Sequence, residues 1–119
     1  MQNADCELCT LEAVLFADDN AYVRTDNRAL SPGHLLVVPK RHVSSFFDMT
    51  LDERFSILNL MDRAKAHVDA EHAPDGYNIG VNVGRAAGQS RMHVHVHLIP
   101  RYAGDVADPR GGIRRILTP

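Results

Sequence analysis

The chain has 119 residues, 45% of them hydrophobic and 24% charged, with a formal net charge of −2. That size accommodates one hydrophobic core, hence a single domain over 1–119, and the balance of charge lacks the basic excess that a nucleic-acid partner demands. No apolar run approaches the roughly 20 residues that span a bilayer, and the first residues show neither a basic start nor an apolar stretch, so no membrane partner is expected and the chain is read as cytoplasmic.

In chain order, the N-terminal segment 1–10 carries the two cysteines, Cys6 and Cys9. A gap of two residues suits a metal or a redox pair better than a stabilising disulfide. Residues 13–16 and 21–24 read as short strands of a hairpin around the turn-formers Asp18, Asp19 and Asn20. Ser31-Pro32-Gly33 is a second turn, leading into the apolar run 34–39, which its length predicts as a strand buried on both faces. Thr50 and Glu53 have the spacing of a capping box, and Phe55, Leu58, Met61, Ala64 and Val68 then recur every three or four positions, predicting one amphipathic helix over about 51–70. Pro74-Asp75-Gly76 ends it. Residues 77–83 alternate like a strand, 84–91 form a glycine-rich polar loop, and 92–100 alternate again, so the last two strands are expected to be antiparallel neighbours. The tail, 101–119, has no periodicity and is expected to wrap a surface. The fold class is α+β: a mostly antiparallel sheet of five strands with one long helix on a face.

The last of these strands contains His93, His95 and His97. Alternation places all three on one face and Val94, Val96 and Leu98 on the other. Their Cα atoms would be about 6.5–7 Å apart in sequence and about 13 Å for the outer two, so one tetrahedral metal could take two neighbours but not all three. Neutral imidazole is a nucleophile near pH 7, and neighbouring imidazoles can hold or donate protons.

The run His93-Val94-His95-Val96-His97-Leu98-Ile99, with Gly88-Gln89-Ser90 ahead of it and the block from Ser31 through Lys40, resembles the histidine triad family. The resemblance implies a five-stranded sheet that continues across a homodimer, and a purine nucleotide or nucleotide conjugate as substrate. It implies that His95 attacks the α-phosphorus to form a nucleotidyl-histidine that water resolves, while His97 and Ser90 serve the leaving group. It also places Gln89 and Asn82 near the phosphates, His34 behind the triad as an orienting group, and Asp26 at the ribose hydroxyls. Loop N–H groups around residues 88–90 could add donors for developing charge. Cleavage of dinucleoside polyphosphates, and a nucleotide-binding module with little catalysis, are the alternatives.

Cys6 and Cys9 are half of a tetrahedral site. The resemblance to zinc-containing members supplies the other half as His42 and His93, a structural Zn2+ that pins the N-terminal segment to the triad strand. His67, His72, Arg114 and Arg115 are expected at the solvated surface.

Overall fold

The computed structural model describes residues 5–117. Five strands, β1 (Val14–Ala17), β2 (Ala21–Thr25), β3 (Leu35–Pro39), β4 (Gly76–Val81) and β5 (Val96–Arg101), and one helix, α1 (Leu51–His72), form the fold. The strands make one sheet in the order β1-β2-β3-β5-β4, and each adjacent pair runs antiparallel. The α+β reading therefore holds, and the sheet is antiparallel throughout. The expected hairpin, buried central strand and antiparallel final pair are all present. The last strand begins only at Val96, so His93 and His95 lie ahead of it, His93 at a bend and His95 outside any regular element.

The sheet has two differently used faces. Against α1, Val23, Leu35, Val37, Val96 and Leu98 bury with Ile57, Leu60, Ala64 and Val68 of the helix. On the opposite face Tyr22, Leu36 and Val38 pack with Leu8 and Cys6 of the N-terminal segment, and the rest of that face is left for chemistry. Leu36 opposes His97 in the β3–β5 register, so the triad shares this second face.

The capping box forms: Glu53 N–H donates to Thr50 Oγ1 at 3.1 Å, and Thr50 N–H donates to Glu53 Oε1 at 2.9 Å. Arg41 clasps the same carboxylate through Nε and Nη2, both at 2.9 Å, and holds Glu53 well below the usual glutamate range. The helix runs to His72, two residues beyond the expected end. Its buried face includes the expected Ala64 and Val68, with Met61 packed against the core, and differs from the expected one at its start. Phe55 and Leu58 are 59% and 64% exposed, and the inward residues are Glu53, Ser56, Ile57, Leu60, Ala64 and Val68.

After β5 the tail forms turns and a short 3-10 segment, Gly112–Arg115. It is tied down by Tyr102 Oη–H, which donates to the Pro32 carbonyl at 2.6 Å, and by Arg101 paired with Asp105. His67, His72, Arg114 and Arg115 are exposed, as expected. Among the described residues no helix is long and apolar enough to cross a membrane.

Candidate active site and metal centre

The segment ahead of β5 is anchored by Val94 N–H, which donates to the Val43 carbonyl at 2.8 Å. Val94, Val96 and Leu98 enter the core, which turns His95 and His97 the other way. His93 is fully buried, whereas His95 and His97 are partly open.

Hydrogen bonds fix the protons on these rings. His34 Nδ1 accepts from Leu30 N–H at 3.0 Å, so neutral His34 carries its proton on Nε2. That nitrogen lies 2.9 Å from His97 Nδ1 and donates to it, leaving His97 with its proton on Nε2. Asp26 Oδ2 sits 3.3 Å from His34 Nε2 and 3.6 Å from His97 Nδ1. Both rings are nonetheless neutral near pH 7. Burial pushes His97 down to about 4, with His95 and His34 adding to the fall and Asp26 opposing it. Burial likewise lowers His34 against the pull of Asp26. His95 Nδ1–H donates to the His93 carbonyl at 2.9 Å, which leaves the Nε2 lone pair of His95 bare.

His95 and His97 face a cleft of about 440 Å³ lined also by Asp26, Arg28, Leu36, Asn82, Gly88, Ser90 and Arg91. Its loop is shaped by Gly84 and Gly88, at φ 88° and 96°, a region that disfavours any side chain. Gln89, expected near the phosphates, points elsewhere. It is buried, its Oε1 accepts from Gly84 N–H at 2.8 Å, and its Nε2 donates to the Ser44 and Arg91 carbonyls at 2.7 and 3.0 Å. This amide braces the loop from inside. The N–H groups of Gly88 and Gln89 are also spent within the loop, donating to the Arg85 and Gly84 carbonyls at 3.0 and 3.1 Å.

A second cluster lies behind the first. Cys6, Cys9, His42 and His93 bring one donor atom each to within 4.8 Å of one another. His93 Nε2–H donates to the Pro39 carbonyl at 2.7 Å, so its bare Nδ1 is the atom presented. That nitrogen is 3.5 Å from Cys6 Sγ, 3.4 Å from Cys9 Sγ and 3.2 Å from His42 Nδ1. Metal–ligand bonds of about 2.0–2.3 Å in a tetrahedron require edges of about 3.3–3.8 Å, so the set fits a tetrahedral ion. Lone pairs converging this closely repel unless a cation or proton lies between them. These four residues could hold a metal ion.

The HIT domain profile matches residues 10–104. The chain belongs to the HIT family. Among HIT relatives it is 42% identical over 94 residues to a HIT-like protein of Methanocaldococcus jannaschii, covering 77% of this chain and 70% of that protein. It is 41% identical over 76 residues to the AP-4-A phosphorylase of Mycobacterium tuberculosis, covering 63% of this chain and only 39% of that enzyme. Arabidopsis thaliana bis(5'-adenosyl)-triphosphatase/adenylylsulfatase is 33% identical over 92 residues, 77% of this chain and 51% of that enzyme. This chain thus spans about half or less of the two named enzymes. A Zn-bound histidine triad family protein from Mycobacterium smegmatis superposes with a TM-score of 0.77 at 28% identity, covering 87% of this chain and 80% of that one.

Cys6 and Cys9 precede the HIT match, so the metal cluster joins a segment outside the domain profile to two histidines within it. Sequence reasoning missed Arg28 and Arg91 as cleft residues. Their positions held a signal, since each is within two residues of a nominated group, Asp26 or Ser90. It also missed Glu7, whose carboxylate reaches Arg91, Asn27 and Arg24 at 3.4, 2.8 and 3.6 Å.

Proposed function

We propose that the protein is a nucleotidyl hydrolase or transferase that cleaves purine nucleoside phosphate conjugates at the α-phosphate through a nucleotidyl-His95 intermediate. The observation that carries this reading is the bond from His95 Nδ1–H to the His93 carbonyl, which commits the bare Nε2 to the cleft side of the ring's chemistry. The Nε2 lone pair forms the N–P bond while the leaving group departs with the electron pair of the broken bond. His97, whose proton the His34 contact keeps on Nε2, donates a hydrogen bond from that N–H to the departing atom and steadies the charge it gains, and the leaving group takes its proton from solvent. In the second step water oxygen bonds to phosphorus, the proton it loses passes to solvent, and the N–P electrons return to His95 Nε2. Ser90, Asn82 and Asp26, all lining the cleft, are suited to the leaving group, the phosphate and the ribose hydroxyls respectively. The named activities of the two bacterial and plant relatives support the same chemistry.

The test is to trap the intermediate. Incubation with a labelled nucleotide conjugate, followed by acid quench and peptide mapping, should place the nucleotidyl group on His95. His95→Asn should lower turnover by about 10³-fold or more while nucleotide still binds. Retained turnover would remove His95 as the nucleophile.

On the same reading Cys6, Cys9, His42 and His93 hold a structural Zn2+, whose four protein ligands would leave no open position for substrate. Metal analysis of protein purified without chelator should find about one zinc per chain, and Cys6→Ser should lose it and lower the melting temperature. A homodimer joined at β4 completes the proposal, supported by the open edge of that strand.

A further inference from the structure

The turn between Cys6 and Cys9 is docked by the two residues that separate the cysteines, and one of these reaches the cleft. Leu8 is fully buried, and its carbonyl accepts from Tyr22 Oη–H of β2. Glu7 is exposed, and its carboxylate meets donors from three other segments. Oε1 accepts from Asn27 Nδ2 at 2.8 Å and lies 3.6 Å from Arg24 Nη2, while Oε2 lies 3.4 Å from Arg91 Nη2. Arg24 is buried on β2, and among the described residues Glu7 is the one carboxylate paired with it. Its Nη2 also donates to Asn27 Oδ1 at 3.2 Å, which closes the network. Asn27 stands between Asp26 and Arg28, both of which line the cleft, and Arg91 lines it from the segment ahead of the triad. Arg91 also lines a second hollow, of about 390 Å³, that takes in Cys6 and His42. One guanidinium therefore borders both the metal cluster and the cleft, and the residue after Cys6 holds it. A single exposed ion pair contributes little, but a carboxylate shared among three donors fixes their spacing, because moving it breaks all the contacts together.

We propose that Glu7 is a positioning residue that couples the metal cluster to the cleft. A metal held by Cys6, Cys9, His42 and His93 fixes the turn that carries Glu7, Glu7 sets the spacing between the Asp26–Arg28 segment and Arg91, and the loaded cluster thereby raises the affinity of the cleft for a nucleotide. This rests on the nucleotide cleft and the metal proposed above. Glu7 is one residue from Cys6 and two from Cys9, so its backbone does not shift without moving a metal ligand. Coupling between two sites is reciprocal: by whatever factor the metal raises nucleotide affinity, the nucleotide raises metal affinity. A second connection runs through His93, which offers Nδ1 to the metal cluster while its carbonyl accepts from His95 Nδ1–H. That connection bears on the nucleophile and hence on turnover, whereas the Glu7 connection bears on binding.

The experiment therefore reads binding. Zinc affinity is measured by competition with a chromogenic chelator, with and without saturating AMP, and the AMP affinity of the zinc-loaded protein is measured by calorimetry. In the parent, AMP should tighten zinc binding by about fivefold or more. Glu7→Ala keeps the four metal-cluster residues, so it should still bind about one zinc per chain. AMP should no longer tighten that zinc, and should itself bind about fivefold more weakly than to the parent. Glu7→Asp separates reach from charge: one methylene shorter, it should behave as the alanine variant does. It also keeps a carboxylate near the buried Arg24, so it carries the decision if the alanine variant does not fold. Stronger AMP binding in Glu7→Ala with parental behaviour in Glu7→Asp would show that the carboxylate acts only as a charge opposing the nucleotide, and would overturn the proposal. A tightening of zinc by AMP that survives undiminished in both variants would overturn it as well. Zinc and AMP that both bind the parent, each indifferent to the other, would refute the coupling alone, whereas zinc binding without any AMP binding would refute the nucleotide reading of the cleft and the coupling with it.

Discussion

Between His34 and His97 there is room for one proton, and the backbone decides which ring owns it. Leu30 N–H occupies Nδ1 of His34, which drives the proton to Nε2 and through it sets the tautomer of His97. The same burial that makes this arrangement rigid makes it sensitive to acid. Unfolded, His97 would titrate near 6.5, but folded it resists protonation down to about 4. Above about 6.5 the ring is neutral in both states and its contribution to stability is complete. As pH falls from there towards 4 the unfolded chain takes up a proton that the native one refuses, so stability drains by an amount on the order of 3 kcal/mol. Urea unfolding at pH 7.5, 6, 5 and 4.5 should therefore show a steeper decline for the parent than for His97→Asn; parallel declines would show that His97 titrates alike in both states. The positions of His34, Asp26, Asn82, Ser90, His95 and His97 were legible because the motif and its flanks name them, and the fold gathers them. Gln89 was not, since nothing in its spacing says that an amide will turn inward to satisfy loop carbonyls. Arg28 and Arg91 stand next to the nominated Asp26 and Ser90, but among thirteen Lys and Arg residues only the fold shows that these two reach one cleft.

Helix α1 shows how polarity can disguise a buried face. Glu53 and Ser56 are buried because Arg41, the Thr50 N–H and Asn20 Nδ2 satisfy them, so the inward stripe begins with two polar residues. A reading that counts only apolar side chains instead starts at Phe55 and Leu58 and is rotated from the true face. The start of α1 was legible through its capping box and its stop through Pro74, but not the residue that closes it, an alanine. Ala73 closes the helix in the left-handed region, at φ 48° and ψ 56°, and its N–H donates to the Asp69 carbonyl at 3.1 Å. An L-residue there costs about 1–2 kcal/mol, and glycine would give back part of this as unfolded-state entropy worth about 0.4–1 kcal/mol. Ala73→Gly should therefore stabilise the protein by about 0.5–1 kcal/mol, read as a higher urea midpoint at unchanged m-value. A lower midpoint would mean that the backbone at this turn does not prefer the left-handed region.

At the scale of the whole molecule the two edges of the sheet are unlike. β1 is four residues long and its pairing slips between Val14 and Phe16, a bulge of the kind that discourages further strands. β4 is six residues, Gly-Tyr-Asn-Ile-Gly-Val, regularly paired to β5 on one side and carrying no charge, proline or bulge. An edge so little protected invites a strand from another chain. The surface beside it agrees. Lys65 and Asp69 of α1 reach Tyr77 on β4, so that side of the helix borders the edge, and Leu58, two turns before Lys65, lies 64% exposed along it. Ile79, in the middle of β4, is 50% exposed. A second copy pairing β4 to β4 would cover both and extend the sheet to ten strands, leaving each triad on its own subunit. Light scattering coupled to size exclusion should give twice the chain mass for the parent at micromolar concentration. Leu58→Glu with Ile79→Lys should give the chain mass itself with the far-UV spectrum retained, because both positions are exposed in the single chain and only a partner would lose by the change. A parent that already runs as one chain would remove the dimer from the proposal without touching the active site, whose cleft is lined by residues of one subunit.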